Sequence, residues 1–441
     1  MQINKIPQFI SKKINKNAQV KKIIYNSGWL LFDKLIRMIL GLLVGAWVAR
    51  YLGPTLYGEL AFVLTYLAFF QVISFLGMNG IIVRDISKNP NEAPTILGTA
   101  FFLQCVAGLL CWILAIIIMA IIYGWADLRV VLTAIIGSIL VFQSSDTIDL
   151  WFQSQSQSKR TVLAKLIAYI ISNSLKVILI LSESPLTYFA FITALEGLIG
   201  AVSLFYAYKK YPCPLPWSII PKKIIILFKE SWTFVLSGLT IIIYMRIDII
   251  MIEDILGTEQ LGIYAAMLPL STLWHVIPMS IYTSLMPYIS RLKIENEEKY
   301  KKTLAKVFLV YSILGWLICI PIYFLSPFLI RFLYGEQYAL GGDILSIYIF
   351  TNLFICSGVA LGFWVLNERK GHLSLIRTSL GALFLVSINF YLIPKYGLIG
   401  AAISAVLTQA FSTILLNIIF SPSIFKVQIL SLFLIKSRYK P

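Results

Sequence analysis

The sequence predicts an all-α membrane protein that crosses the bilayer many times. Of its 441 residues, 59% are apolar and only 13% are charged, and the mean hydropathy is +0.84. A soluble domain carries about 25% charged residues. Apolar runs of about 20 residues recur along the whole chain, and a helix needs about that length to cross a hydrocarbon core of ~30 Å. A β-barrel would instead show short alternating segments.

Twelve transmembrane helices are predicted from the apolar windows and the polar breaks between them. The last apolar run, 424–435, is too short to cross and is expected to lie along the interface. The first run is longer than the core of a signal peptide and is expected to remain in the protein. The predicted helices cover residues 27–49, 58–77, 96–122, 130–153, 162–181, 186–208, 231–252, 262–289, 304–325, 341–366, 372–393 and 399–420.

Lysine and arginine are distributed unevenly over the predicted loops. Of the 37 lysines and arginines, 28 lie in the two tails and the even-numbered loops, if Lys306 and Arg377 are included with the loops next to them. Because positively charged loops stay on the cytoplasmic side, both termini are predicted to be cytoplasmic. Only four lie in the odd-numbered loops: Arg50, Arg129, Arg331 and Lys395.

The remaining composition excludes several classes of function. The net charge of +17 comes from cations dispersed beside apolar spans, which indicates contact with anionic membrane lipids rather than with nucleic acid. The five cysteines show no CxxC spacing, so we expect neither a metal site nor a disulfide framework. HExxH, GxSxG and GxxxxGK[ST] motifs are absent. No cofactor and no enzymatic activity are therefore predicted.

A short internal repeat divides the chain. The stretch "LGPTLYG" at 52–58 matches "LGTEQLG" at 256–262 with an offset of 204 residues, and both follow equivalent helices. Ser27 and Ser231 share this offset, as do Ala61 and Ala265. Because six helices per repeat is an even number, we predict two parallel six-helix repeats, and transporters built this way tend to hold their substrate in a central cavity between the halves.

This repeat gives the predicted domain organisation. Four prolines within a basic stretch mark a cytoplasmic linker between the two lobes, since proline breaks helices. The predicted parts are a basic cytoplasmic tail (1–26), an N-terminal lobe (27–208), the linker (209–230), a C-terminal lobe (231–420) and a cytoplasmic or interfacial tail (421–441).

Three stretches combine turn residues with small residues: "ARYLGPTLYGELAF" (49–62), "FLYGEQYALGGDIL" (332–345) and "NFYLIPKYGLIGAAISA" (389–405). Through them the chain resembles the Wzx-type polysaccharide (O-antigen/capsule) flippases of the multidrug/oligosaccharidyl-lipid/polysaccharide exporter superfamily. The resemblance extends over nearly the whole chain and covers its length and number of helices. These patterns specify the fold and the superfamily better than the substrate.

The resemblance implies an activity and partners. It implies that an undecaprenyl-diphosphate-linked oligosaccharide is moved from the cytoplasmic to the outer leaflet of the bacterial inner membrane. The polysaccharide polymerase and the chain-length regulator of the same pathway are implied as partners. The family has no invariant catalytic residues to carry over, so the residue roles below follow from physical chemistry.

Charged residues inside the predicted spans are the candidate binding residues, since such residues usually face a bundle interior or a wet cavity. Arg37 lies near the middle of the first helix, and Asp33 precedes it by one turn. One interpretation is a purely structural ion pair. The other is that Arg37, with Arg246 and with Lys34 or Lys176, faces the cavity and binds the substrate's diphosphate.

Acidic residues within the spans are candidates for ion coupling. Asp146 and Asp149 share one helix face and form either a cation or proton site or an interfacial pair. Glu196 has no charged neighbour in sequence, so it is either protonated or paired with a distant base. Asp33 and Asp248 complete this set.

The eighth predicted helix contains Pro269, Pro278 and Pro287, spaced nine residues apart. Each removes a backbone hydrogen bond and kinks the helix. They are either hinges for alternating access or static bends, since proline is common in transmembrane helices.

Two other functions remain open from the sequence. A cation-coupled drug exporter of the same superfamily would favour acidic residues deep in the cavity, whereas Arg37 and Arg246 are cationic. A membrane polymerase or ligase acting on lipid-linked glycans would need a substantial outer loop, and the longest one predicted, 326–340, is short.

Overall fold

The computed structural model describes residues 18–213 and 216–435. Most of the predicted tail 1–26 and the end of the tail 421–441 lie outside these ranges. Within them every regular element is helical, which confirms the all-α class. The helices are α1 (Ala18–Ser74), α2 (Asn79–Lys88), α3 (Ala93–Tyr123), α4 (Leu128–Gly137), α5 (Ile139–Phe142), α6 (Asp146–Ser154), α7 (Lys159–Leu181), α8 (Leu186–Lys210), α9 (Pro221–Leu256), α10 (Thr258–Thr272), α11 (Val276–Glu295), α12 (Glu297–Tyr334), α13 (Leu340–Tyr348), α14 (Thr351–Asn367), α15 (Gly371–Ala410), α16 (Asn417–Phe420) and α17 (Pro422–Leu432).

Ten helical runs in the described part of the chain are long and apolar enough to cross a membrane. Two of them, Leu31–Lys88 and Gly371–Phe420, contain 58 and 50 residues. At 1.5 Å per residue, each is more than twice the length of one crossing. Each is interrupted at a glycine with non-helical angles, Gly53 and Gly397. Division at these glycines would give twelve segments, and the number of crossings stays a prediction.

The chain forms two compact units, which we describe separately. Unit 1 contains residues up to Gly45 together with Leu67–Leu236, and unit 2 contains Ala46–Tyr66 together with the residues from Ser237 onward. In unit 1, the amphipathic helix α2 buries Ile82 and Ile86 against α3 and α6. In unit 2, α12 packs along α13 and α14.

The repeat seen in the sequence has a common backbone geometry. Gly53 has φ 74° and ψ 169°, and its equivalent Gly257 has φ 86° and ψ 173°. Only glycine occupies this region of φ/ψ space readily, because a side chain there would clash with the backbone. The same two positions therefore break the helices of both repeats in the same way.

The two repeat segments also contact each other within unit 2. A Cβ atom added to Gly58 would lie 1.9 Å from the carbonyl oxygen of Thr258. One added to Gly262 would lie 1.8 Å from the carbonyl oxygen of Pro54. Residues 54 and 258 are equivalent under the same 204-residue offset, so each segment presents the same surface to the other, as in a twofold-symmetric interface.

Several boundaries differ from those predicted. The predicted outer loop 326–340 is mostly helix, because α12 continues to Tyr334. Helix α9 begins at Pro221, within the predicted linker, since proline is well suited to a first helical turn. Helix α17 packs into unit 2: its Gln428 side chain donates to Ser357 Oγ at 3.0 Å and accepts from Asn417 at 2.7 Å.

Candidate functional site

The candidate site in unit 1 is built around Arg37 on α1. The Arg37 Nε atom donates to Asp33 Oδ1 at 2.8 Å, one helical turn away. Both side chains are partly buried, with exposed fractions of 28% for Arg37 and 20% for Asp33. The ion pair suggested by the i, i+4 spacing is present.

Tyr169 on α7 supports the Arg37 side chain from the neighbouring helix. Its ring lies 4.8 Å from the guanidinium carbon, a cation–π distance. Its hydroxyl donates to the Arg37 carbonyl oxygen at 2.9 Å. Gly41 makes this approach possible, because a Cβ there would lie 2.7 Å from the Tyr169 hydroxyl oxygen. Gly41 thus allows Tyr169 to pack against α1 and to hold the Arg37 side chain in place.

One nitrogen of Arg37 remains without an acceptor. The Nη2 atom is buried and has no hydrogen-bond partner. Arginine carries five N–H donors in a fixed planar arrangement and stays charged in proteins. A buried donor that lacks an acceptor is costly, and an incoming anion would remove that cost.

A second ion pair lies on the same helix as Tyr169. Lys176 follows Tyr169 by seven residues, so the two lie on one face of α7 about two turns apart. The Lys176 ammonium is 3.8 Å from Glu196 Oε2 on α8. Glu196 therefore has the distant basic partner that the sequence left open. Lys34 on α1 is exposed.

Lys165, one turn before Tyr169 on α7, joins the two aspartates. Its Nζ atom lies 2.7 Å from Asp146 Oδ1 and 2.8 Å from Asp149 Oδ2. The two carboxylates thus share one cation that is already part of the protein. A bound metal cation would have to displace this ammonium.

In unit 2 the structure places Asp248 beside tyrosines. Asp248 is buried, and its Oδ2 atom accepts from the Tyr264 hydroxyl at 2.6 Å. Tyr348 packs edge-on to Tyr264 with a centroid distance of 5.9 Å. Arg246, two residues earlier on α9, is exposed. Neighbours two residues apart on a helix do not face each other.

The prolines of the eighth predicted helix flank a local change in helix type. A 3-10 turn, Leu273–His275, separates α10 from α11 and lies between Pro269 and Pro278. Pro287 lies inside α11. The sequence predicts one helix over 262–289, and the structure instead interrupts it with this 3-10 turn, in a segment where prolines remove backbone hydrogen bonds. A hinge motion stays a prediction.

Two residues of these sites were not found from the sequence. Tyr169 gave no signal, because its role depends on a contact 132 residues away. Arg377 lies inside the predicted helix 372–393 but was not named as a candidate, because its burial in α15 depends on packing. In the described ranges, no three histidine, cysteine or acidic side chains are grouped as a metal site would require.

Comparison with known proteins shows several relatives. Residues 23–293 match the family described as polysaccharide biosynthesis protein, and residues 234–392 match the MatE family. The chain is 31% identical over 162 residues to the capsular polysaccharide biosynthesis protein CapF of Staphylococcus aureus, a match that covers 36% of this chain and 41% of CapF. It is 26% identical over 276 residues to a protein of Shigella dysenteriae named as an O-antigen transporter, covering 62% of this chain and 69% of that one.

Solved structures share the fold. The lipid II flippase MurJ in an inward closed conformation aligns with a TM-score of 0.74 and 17% identity over 93% of this chain and 91% of MurJ. An inward-facing multidrug resistance MATE transporter aligns with a TM-score of 0.71 and 16% identity over 89% of this chain and 95% of the other. The predicted resemblance is confirmed. Since the matching family covers more than half of the chain, this protein belongs to the polysaccharide biosynthesis protein family of the multidrug/oligosaccharidyl-lipid/polysaccharide exporter superfamily.

Proposed function

We propose that the protein is a flippase that moves undecaprenyl-diphosphate-linked oligosaccharide repeat units from the cytoplasmic to the outer leaflet. The units would serve the synthesis of O-antigen, capsule or another exopolysaccharide. The observation that carries the proposal is Arg37, an arginine in a membrane helix whose Nη2 atom is buried without an acceptor. Family membership supports it.

The geometry around Arg37 suits a phosphate group. Asp33 holds the Nε atom and Tyr169 supports the guanidinium plane, so the side chain is fixed before the ligand arrives. A phosphate oxygen would accept a charge-assisted hydrogen bond from Nη2. The glycan and diphosphate would cross through a hydrated cavity while the prenyl chain stays in the bilayer, because hydrocarbon is the main barrier to a charged headgroup. Lys34, Lys176 and Arg246 are proposed to assist.

We further propose a place and a topology. The protein would lie in the bacterial inner membrane with both termini in the cytoplasm, beside the polysaccharide polymerase and the chain-length regulator. Pro269, Pro278 and Pro287 would allow the change between inward and outward access.

Cysteine labelling checks this topology. We expect Glu298→Cys to react only from the cytoplasmic side and Glu336→Cys only from the outer side, in a variant that lacks the native cysteines. Both native side chains are well exposed, 78% for Glu298 and 79% for Glu336, so the reagent can reach them. A membrane-impermeant maleimide applied to intact cells and to inverted vesicles measures the outcome. Labelling of both positions from one side would contradict the charge asymmetry.

The pair formed by Lys176 and Glu196 gives a test of proton coupling. We expect Glu196→Gln to reduce export and to remove its dependence on the proton gradient, because the carboxylate of the pair is lost. Export is measured in cells with and without an uncoupler. The double variant Lys176→Met/Glu196→Gln removes the unpaired cation and is expected to restore protein level but not export.

Two results would contradict this assignment of Glu196. One is wild-type export that is unchanged after the proton gradient collapses. The other is full recovery of export in the double variant, which would make the pair structural. The Lys165 cluster with Asp146 and Asp149, and Asp248, are then the remaining candidates for coupling.

A cation-coupled drug exporter is the second candidate function. The MatE match over residues 234–392 favours it, and this segment contains the buried Asp248. Deletion of the gene separates the two functions. Loss of the surface glycan with unchanged drug susceptibility supports the flippase, whereas increased drug susceptibility with an intact glycan supports the exporter.

A further inference from the structure

Unit 2 contains a buried arginine, Arg377, that has no role in the function proposed above. Arg377 lies six residues after the start of α15, and only 5% of its surface is exposed. Its Nε and Nη2 atoms are both buried and have no hydrogen-bond partner. Within the described ranges, no carboxylate forms an ion pair with it. A guanidinium remains charged in proteins, so its burial without an anion is strongly unfavourable.

The two unpartnered nitrogens lie on the same edge of the guanidinium plane. The Nε–H and one Nη2–H of arginine point in parallel, which is the arrangement that binds two oxygens of a carboxylate or phosphate at once. No acceptor from the described part of the protein is hydrogen bonded to this edge.

Arg377 lines a cavity of about 570 Å³ inside unit 2, a volume within the range of small-molecule sites. Gly381, one turn later on the same face of α15, approaches the cavity-lining residues Tyr244 and Ser412. This places the face of α15 that carries Arg377 toward the cavity. Further polar groups line it, namely the hydroxyls of Tyr244 and Ser412, which are hydrogen bonded at 2.8 Å, and the side chains of Thr378 and Gln409.

The wall of the cavity has an unusual backbone. Residues Phe411–Leu415, at the end of α15, form a π-helical segment, and Ser412 and Thr413 within it line the cavity. Such π-helical turns are rare and occur frequently at functional sites. They persist only where the surrounding structure compensates for the poorer hydrogen bonding.

We propose that this cavity is an oxyanion site in which Arg377 binds a phosphate group through its Nε and Nη2 atoms. The polar groups of Tyr244, Thr378, Gln409 and Ser412 would bind the remaining oxygens or an attached sugar. Two sources present this chemistry: the diphosphate of a lipid-linked glycan and the headgroup of an anionic phospholipid. The argument for the site uses only Arg377 and the cavity. Only the assignment of the glycan diphosphate as its ligand rests on the proposed function.

The test is a titration of the purified full-length protein with inorganic pyrophosphate at constant ionic strength. The measured quantity is the thermal unfolding midpoint at each pyrophosphate concentration. We expect a saturable rise in the midpoint, because a ligand that binds the folded state stabilises it. In Arg377→Gln the half-saturating concentration should increase about tenfold or more, since at least one charge-assisted hydrogen bond is lost. Arg377→Lys keeps the charge without the planar edge and should fall between the two.

Controls separate this site from Arg37 and from effects on folding. Arg331→Gln removes an exposed arginine of the same unit and should respond as the wild type does. Titrations in an Arg37→Ala background exclude a response at the other proposed phosphate contact, and the loss of affinity caused by Arg377→Gln should persist there. Without pyrophosphate, Arg377→Gln should unfold at the same temperature as the wild type or higher, because two buried donors without acceptors are removed. If Arg377 were only a structural residue, Arg377→Gln would instead unfold at a lower temperature than the wild type.

Nanodiscs distinguish the two sources. If a phospholipid occupies the site, the wild type will have a higher unfolding midpoint in phosphatidylglycerol than in phosphatidylcholine. In phosphatidylglycerol the wild type will also no longer respond to pyrophosphate. Arg377→Gln will show neither effect. If the site takes the substrate's diphosphate, the response will be equal in both lipids. The inference is overturned if the wild type responds in neither lipid or if Arg377→Gln keeps the wild-type half-saturation. If only Arg37→Ala abolishes the rise of the midpoint with pyrophosphate, the Arg377 site is overturned, while the proposed flippase function is not affected.

Discussion

Replacing Arg37 with alanine is expected to reduce export of the lipid-linked glycan at least about a hundredfold while the protein remains at its normal level. The substitution removes at least two charge-assisted hydrogen-bond donors, each of which contributes about 1.5–3 kcal/mol. Asp33 loses its ion-pair partner in this variant, so the amount of protein in the membrane is measured together with export. Appearance of the glycan at the cell surface, normalised to protein in the membrane, measures the effect.

Graded variants distinguish ligand binding from a structural role of Arg37. Arg37→Lys should keep partial export, because a lysine retains the charge but not the planar donors or the stacking on Tyr169. Asp33→Asn should have a smaller effect than Arg37→Ala, since it leaves the guanidinium in place. Arg129→Ala is a matched control: its guanidinium also stacks on a tyrosine of unit 1, Tyr123, at 4.3 Å, and its loss should leave export unchanged.

Two outcomes would contradict the role of Arg37. Export at the wild-type rate in Arg37→Ala would show that no essential ligand contact is lost. A defect confined to the amount of inserted protein, and repaired by a second change at Asp33, would identify the pair as structural.

Replacing Gly262 with alanine is expected to destabilise the protein by about 3 kcal/mol or more, the upper part of the range for overpacked sites. The added Cβ would lie 1.8 Å from the carbonyl oxygen of Pro54, an atom of the backbone that no side-chain rotation can move. Gly58→Ala should behave alike, because its Cβ would meet the carbonyl oxygen of Thr258 at 1.9 Å. The thermal midpoint and the yield of monodisperse protein in detergent report the loss.

Gly45→Ala is the control for these variants. Gly45 lies inside α1, and nothing comes within 4 Å of an added Cβ. Alanine is favoured over glycine in a helix interior by about 0.5–1 kcal/mol. We therefore expect the midpoint of Gly45→Ala to equal or exceed that of the wild type. Equal midpoints for Gly262→Ala and Gly45→Ala would show that the segments at 54–58 and 258–262 are not held in close contact.

The sequence predicts those features that depend on local spacing or on the membrane as solvent. The apolar runs indicated the helices because the bilayer requires their length. The pair of Asp33 and Arg37 followed from one turn of a helix. The repeat at 52–58 and 256–262 indicated equivalent turns, which Gly53 and Gly257 make with closely similar backbone angles.

Contacts between distant parts of the chain could not be predicted in the same way. Lys165 lies between Asp146 and Asp149, although it precedes a largely apolar stretch and gave no sign of a partner. Arg377 lies inside the predicted helix 372–393, but hydropathy does not show which way a side chain near a helix end faces, and only the packing around it shows its burial. Such placements depend on which helices meet, information that neither hydropathy nor periodicity contains.

The reciprocal glycine contact constrains how the two repeats can diverge during evolution. Gly58 and Gly262 are each opposed by backbone atoms, and every residue type has the same backbone carbonyl. A substitution at either glycine therefore cannot be compensated by a side-chain change at the opposing residue. Side chains inside the two units are under no such constraint: unit 1 carries Arg37 and unit 2 carries Arg377, at positions that the 204-residue offset does not relate. The two glycines are therefore held by backbone contacts, while the side chains elsewhere in each repeat are free to differ.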